Sequence, residues 1–341
     1  MGRSKMVNQV KVLWVTAFIL LGLATRGAAS FTPEIKETSG SQNFKGLDVS
    51  LDLKGTLDDL DPFSEKNASS SKEGPGSRRE DMEEPSEKGT ISFKPDFLRY
   101  KSDTSSDTIK TNSARLGFAN PFVNAGLSGG NSPEVDKYKS HNFGTDLSLS
   151  FYPGAWSLGQ LKNEDSDFRI DLGGGYTDTT DIDDYKGFVL KKFRRLPKPI
   201  LVRKDKEITL HQKDVDATAA MSAFDVTLSG QYTQSHYDKD VDQIAVRTSK
   251  AVRLAGINSL VDGFPDKSLN VRADISVFPI VSPYVSFTRT QFKADTLPSK
   301  IYDFGAYVDI KRVRLEFVYE KMTQEGSANT ELTTIGASYR F

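Results

Sequence analysis

From about Ser92 onward the chain alternates apolar and polar residues with a period of two, the pattern of strands with one apolar and one polar face. Val313, Leu315, Phe317 and Tyr319 share a face, with Arg314, Glu316 and Glu320 on the other. Phe304, Ala306, Val308 and Ile310 precede them, and only Lys311-Arg312 lies between, so the spacing predicts a tight hairpin. Leu269, Val271, Ala273 and Ile275 alternate with Asn270, Arg272 and Asp274. Phe224, Val226, Leu228 and Tyr232 alternate with Asp225, Thr227 and Ser229. Phe168, Ile170 and Leu172 alternate with Arg169 and Asp171, and Leu147, Leu149 and Phe151 with Asp146, Ser148 and Ser150. The count predicts about twelve strands, over 95–103, 111–119, 121–128, 142–152, 166–177, 184–194, 219–233, 268–278, 284–293, 301–310, 313–322 and 331–341. The first two are the least regular, and without them ten remain.

Alternation alone does not separate a β-sandwich from a membrane-spanning barrel, since both hide one face of each strand. The ends of the chain weigh on that choice. Arg3, Lys5 and Lys11 precede the apolar run Val12 to Ala24, which is short for a spanning helix. Small residues follow at Gly27-Ala28-Ala29-Ser30, so residues 1–30 read as a signal peptide cut next to Ser30. No later stretch is long and apolar enough for a transmembrane helix, and the absence of Cys excludes a disulfide framework and a lipid-anchoring cysteine.

At the other end, Ile335, Ala337, Tyr339 and Phe341 are spaced by two, with Thr334, Gly336, Ser338 and Arg340 between them. This strand resembles the C-terminal signature of Gram-negative bacterial outer-membrane β-barrel proteins, which end in Phe with an aromatic two residues before. The resemblance implies an all-β, antiparallel transmembrane β-barrel, delivered through the periplasm to the outer membrane. It further implies that Ile335, Ala337, Tyr339 and Phe341 are the signal read by the barrel-assembly machinery.

Between the signal and the alternating region, residues 31–91 are poor in aromatics and rich in charge. Ser64 to Lys88 is nearly all polar, so the segment is expected to be a largely disordered periplasmic extension, with the barrel confined to 92–341. The run Gly46 to Leu53 alternates and is strand-like. Strand direction places short turns at Lys311-Arg312, at Pro279 to Ser282, at Tyr152-Pro153-Gly154 and at Asn120-Pro121 on the periplasmic side. Arg194 to Asp216 falls on that side too, which is long for such a turn. Ser235 to Lys267 becomes an outer loop, with apolar residues near helical spacing from Val252 to Val261.

The search for chemistry returns little. His141, His211 and His236 stand in no metal-binding spacing, and His236 beside Asp238 is the best rim acid/base candidate. Asp178, Asp181, Asp183 and Asp184 cluster without the spacing of a calcium loop. The chain reads as no enzyme, with no catalytic, cofactor-binding or metal residues. The expected lumen lining is Arg169, Asp171, Asp225, Arg272, Asp274, Arg314 and Glu316. Ten to twelve strands imply a narrow, porin-like aqueous channel for small polar solutes or ions. The rivals are a non-transporting structural or surface-interaction barrel, an outer-membrane hydrolase and a soluble exported β-sandwich. Expected partners are outer-membrane lipid, the assembly machinery and small polar solutes; nucleic acid is not among them, since the net charge is -1 and no basic stripe carries interleaved aromatics.

Overall fold

In the computed structural model the alternating segments close into one antiparallel barrel of fourteen strands, and two further strands form a separate hairpin. The structure describes residues 29–56, 89–101, 109–135, 138–153, 168–191, 200–239, 241, 250–254, 257–261, 264–278, 280–293, 297–324 and 329–341. The first half of the barrel runs β1 (Ala29–Gly40), β2 (Phe44–Thr56), β3 (Thr90–Lys101), β4 (Ile109–Ala119), β5 (Val123–Val135), β6 (Tyr138–Phe151) and β7 (Arg169–Lys191). It continues through β8 (Ile200–Ala223) and β9 (Val226–Tyr237), leaves the barrel for the hairpin β10 (Lys250–Leu254) and β11 (Ile257–Val261), and returns at β12 (Pro265–Ile275). The last four strands are β13 (Val281–Phe292), β14 (Ser299–Ile310), β15 (Val313–Gln324) and β16 (Thr330–Tyr339).

Each barrel strand pairs with the next barrel strand in the chain, β9 with β12 past the β10–β11 hairpin, and the seam closes where β1 pairs with β16, from Glu34 opposite Ser338 to Gly40 opposite Leu332. The seam is reinforced beyond the ladder. The Phe341 amide donates to the Phe31 carbonyl at 3.2 Å, and the two rings stack at 4.3 Å. Closure leaves no unpaired edge in the sheet, which only a barrel or a helix achieves in lipid.

The strand count corrects the sequence reading in three places. Residues 29–56, expected as the end of the signal peptide (to 30) and the start of a periplasmic extension (from 31), supply two barrel strands, so the barrel begins well before 92. Their alternation was short and charged, and the partner that orders β1 is the far C-terminal strand, which local pattern does not reveal. The stretches 166–177 and 184–194 are one strand, β7, because β8 pairs with it along its full length. The stretch 219–233 is two strands, since the chain reverses at Phe224-Asp225. These two errors cancel in direction, so the four connections expected together do fall at one end; the one that begins at Tyr152-Pro153 runs to 168, and its residues 154–167 lie outside the described residues, as does Pro279. That end, here called proximal, holds the start of β1 and the end of β16. The strands flanking Arg194 run the other way: β7 ends and β8 begins at the opposite, distal end. Val252 to Val261, expected near helical spacing, falls in the β10–β11 hairpin. The expected signal peptide up to residue 28 and the polar stretch 57–88 lie outside the described residues.

The Phe224-Asp225 turn explains its own invisibility. Both residues adopt positive φ, 49° and 61°, as a two-residue type I′ turn demands. Asn-Gly is the usual sequence for that geometry, and nothing in Phe-Asp announces it.

The two faces of the wall follow from register. Leu147, Leu149, Leu172, Leu228, Val271, Phe304, Phe317 and Ile335 point outward and are exposed. They belong to an apolar band covering the outside of every barrel strand. On β14 the band runs from Tyr302 to Ile310. Nine residues rise roughly 30 Å along a strand, or about 23 Å along the axis at a tilt near 40°. That height matches the hydrocarbon-facing band of membrane barrels, roughly 25 Å. Above it, toward the distal end, the outward face turns basic. Lys45, Arg99, Lys101, Lys110 and Lys139 form this belt on β2 to β6, and Lys213, Lys267, Arg289, Lys300 and Lys321 on β8 to β15. Arg289 therefore sits at the rim of an unbulged strand.

Candidate functional site

The inner wall is polar and charged, and its ion pairs lie flat along the strands. Near the proximal end Arg272 grips Asp274, with Nε 2.8 Å from Oδ2 and Nη2 2.5 Å from Oδ1. The same guanidinium lies 3.8 Å over the Tyr284 ring, which stacks on Tyr307 at 5.3 Å. Arg314 makes a second forked pair, with Asp309, at 2.7 and 3.0 Å. These side chains tie β12 to β15 together with planar, bidentate geometry. Across the barrel Arg169 pairs with Asp171 at 3.0 Å and Lys54 with Asp52 at 3.5 Å.

Three inner pairs cross over a whole strand. Arg115 on β4 reaches Asp146 on β6 at 2.6 Å, directly above Gly126 of β5. A Cβ at Gly126 would stand 2.6 Å from both side chains, so only glycine leaves the crossing open. Gly305 plays the same part beneath the Tyr284 ring, which occupies the space of any side chain there. Lys36 bridges the seam, 3.1 Å from Glu34 on its own strand and 2.7 Å from Glu316 on β15, and Lys94 approaches Glu34 at 3.3 Å.

All seven inward bases of the described strands are therefore paired. The inward acids are fourteen, besides Asp266, which pairs at 3.6 Å with Lys293 just past the end of β13. Seven of the fourteen are the partners of those bases, and the other seven are Asp48, Asp96, Asp181, Asp214, Asp216, Asp303 and Glu320. Their placement is uneven. Six of the bases lie within four residues of a proximal strand end, whereas the second group of acids lies six to twelve residues away from one. The lower lumen is thus a belt of neutral pairs, and the upper lumen holds an excess of carboxylates. Asp216 accepts from Thr233 at 2.5 Å and from Gln231 at 3.3 Å, and Asp303 accepts from Ser286 at 2.5 Å. Asp303 and Glu320 stand directly opposite each other on β14 and β15, both buried.

The distal mouth is also narrowed by apolar packing. Phe44, Leu98, Tyr100 and Leu332 form one inward cluster. Leu210 of β8 forms another with Val241 and Phe264, residues from between β9 and β12 that fold onto the inner wall.

Of the expected lining residues, Arg169, Asp171, Arg272, Asp274, Arg314 and Glu316 all stand on this inner face. Asp225 does not: it is exposed in the β8–β9 turn, because the chain reverses there instead of continuing as a strand. Glu34, Lys36 and Asp48 join the inner face with β1 and β2, strands not expected in the barrel. Asp48 was available in the alternating run Gly46 to Leu53. Asp303 and Glu320 share the polar parity of Asp309 and Arg314 and were equally legible. His236 faces outward beside Lys213, and Asp178 and Asp181 lie on opposite faces of β7, so the aspartates there do not converge.

No family model matches the chain, and no curated protein matches it. Among solved structures it is similar to CdiB from Acinetobacter baumannii, at 8% identity and a TM-score of 0.45, covering 92% of this chain but only 60% of CdiB. It is similar to the CymD monoaromatic hydrocarbon channel at 9% identity and a TM-score of 0.45, over 92% of this chain and 88% of that one. OccK3 (OpdO) of Pseudomonas aeruginosa gives 11% identity and a TM-score of 0.41, over 92% and 95%. At such scores none of them specifies what this chain does.

Proposed function

We propose that this chain is an outer-membrane β-barrel of a Gram-negative-type cell envelope, forming a porin-like aqueous channel for small polar solutes or ions, with cations favoured. One observation carries the reading: a closed fourteen-stranded wall, apolar outside over the height of a bilayer's hydrocarbon layer and charged inside. A soluble protein has no use for so large an outward apolar belt. The strand number supports a path through the middle. Fourteen tilted strands give a backbone diameter of roughly 28 Å, less a layer of side chains on each wall. That is wider than the ten or twelve strands read from the sequence and just below the sixteen of open porins.

The preference for cations follows from the wall's formal charge. Fourteen inward acids face seven inward bases on the barrel wall, and the Asp266–Lys293 pair beside Tyr237 adds one of each, so acids exceed bases by seven among the described residues. Rings of carboxylates make cation channels. The C-terminal residues fit the same reading. Ile335, Ala337 and Tyr339 run along the outward face of β16, and Phe341 stacks on Phe31, so the strand offered to the assembly machinery is also the strand that closes the seam.

The test is conductance of the purified chain in a planar bilayer under a potassium chloride gradient. Discrete current steps are expected, with a reversal potential on the cation side at about 0.1 M salt. The preference should weaken near 1 M, where screening shortens from about 10 Å to about 3 Å. A barrel that inserts without steps would leave the non-transporting, surface-interaction reading in its place. Steps with anion preference would keep the channel and sink the role given to the acids.

A further inference from the structure

The basic belt on the outside of the barrel has no counterpart at the proximal end. Among the described strand residues the outward face carries ten bases and three acids; the bases and Glu331 lie distal to the apolar band, and Glu37 and Asp178 stand at its distal edge, opposite Ile335 and Phe143. Between the belt and the proximal turns no outward strand position is charged among the described residues.

Two of the ten bases face acids, Lys213 opposite Asp178 and Lys321 opposite Glu331, but elsewhere the belt is unfavourable for the protein alone. Lys45 lies directly opposite Lys101, Arg99 directly opposite Lys110, and Arg289 directly opposite Lys300. Like charges facing each other across a ladder destabilise a sheet. One such pair is ordinary scatter; three, all on one face and at one level, call for an anionic counter-charge from outside the chain. Each pair sits one step past an outward aromatic or aliphatic residue, such as Phe97 before Arg99 and Phe287 before Arg289. This is the depth at which a bilayer places its headgroups, and long basic side chains reach from apolar surface into that layer.

We propose that the belt binds the phosphates of anionic lipid headgroups in the leaflet at the distal end. Two patches are the principal sites: Lys45, Arg99, Lys101 and Lys110 on β2 to β4, and Arg289 with Lys300 on β13 and β14. Bound phosphates convert the like-charge pairs from repelling to bridged, fix the depth of the barrel and give it one orientation. The inference rests on the reading that the apolar band spans a membrane; it does not depend on solute passage.

The experiment uses the full chain, folded into vesicles of phosphatidylcholine alone or of phosphatidylcholine mixed with phosphatidylglycerol, with thermal unfolding followed by the heat-dependent gel shift and circular dichroism. The natural chain should unfold higher in the anionic vesicles, by roughly 5 °C or more. A variant carrying Lys45→Gln, Arg99→Gln, Arg289→Gln and Lys300→Gln should be at least as stable as the natural chain in phosphatidylcholine, where repulsion has been removed. In the anionic vesicles it should lose the gain. Equal unfolding of the natural chain in both lipids overturns the proposal, as does a variant weakened equally in both. Reproducing the gain in phosphatidylcholine with inorganic phosphate alone overturns the lipid as the source. Failure of the natural chain to insert into either vesicle overturns the membrane-spanning reading itself, and the proposal with it.

Discussion

The inner and outer walls of this barrel are built from adjacent residues of the same strands, yet they solve opposite problems. Outside, Leu228, Val271 and Phe304 stand exposed, stable only if the medium is apolar. One step along, Ser229, Arg272 and Asp303 face inward, where Arg272 ion-pairs with Asp274 and Asp303 accepts from Ser286. Charge is divided the same way. Toward the distal end the inner face is acidic and the outer face basic, with a single sheet between them. A composition-level net charge of -1 conceals both halves of that division. What separates them is register, because a slip of one residue moves every side chain to the other face.

The sharpest way to break the comparison is to put the same charge on neighbouring residues. Leu228→Arg places a guanidinium in the middle of the outward band and should cost about 2–4 kcal/mol in a bilayer. Thr227→Arg places it in the lumen, directly opposite Asp274, and should cost under about 1 kcal/mol. Urea unfolding in lipid vesicles measures both, and equal costs would remove the distinction between the faces. Glycines allow a second contrast. Gly305→Val drives a side chain into the Tyr284 ring and should cost about 1–3 kcal/mol, whereas Gly230→Ala, outward and with its nearest neighbour atom 3.8 Å from a new Cβ, should change stability by less than about 0.5 kcal/mol. A smaller effect is expected at the seam. Lys36→Met leaves Glu34 and Glu316 without their shared cation and should cost about 1 kcal/mol, since the group is partly solvated, while raising cation preference in the reversal-potential measurement. The smallest change is a gain. Phe224→Asn combined with Asp225→Gly suits the positive φ of the turn and should stabilise by about 0.5–1 kcal/mol, read as a higher urea midpoint.

Much of this was legible in the sequence, and the limits have physical causes. Period-two alternation gave the all-β class, and the spacing in β12 to β16 was clean enough to assign faces residue by residue. The four inward residues named there, Arg272, Asp274, Arg314 and Glu316, stand on the inner face, as do Arg169 and Asp171 of β7. The failures occurred where strand identity depends on a distant partner or on unadvertised backbone geometry. β1 is ordered by β16, some 300 positions away, and reads locally as charged and irregular. The type I′ turn at Phe224-Asp225 lacks glycine and asparagine, so the stretch looked continuous and Asp225 was placed on a wall it does not join. Conversely, the aspartates of β7 looked like a turn, yet that strand runs on because β8 follows it. The basic belt was visible residue by residue, but its like-charge pairs exist only once strands are paired.

The most direct test of the two-faced wall uses the fact that the chain has no cysteine of its own. Single substitutions Asp146→Cys, Leu147→Cys, Ser148→Cys and Leu149→Cys, each in an otherwise natural chain inserted into vesicles, are exposed to a membrane-impermeant, water-soluble maleimide. The account predicts a period-two result, with 146 and 148 labelled from the lumen and 147 and 149 protected by lipid. Uniform labelling along the series, or labelling in the opposite phase, would contradict it.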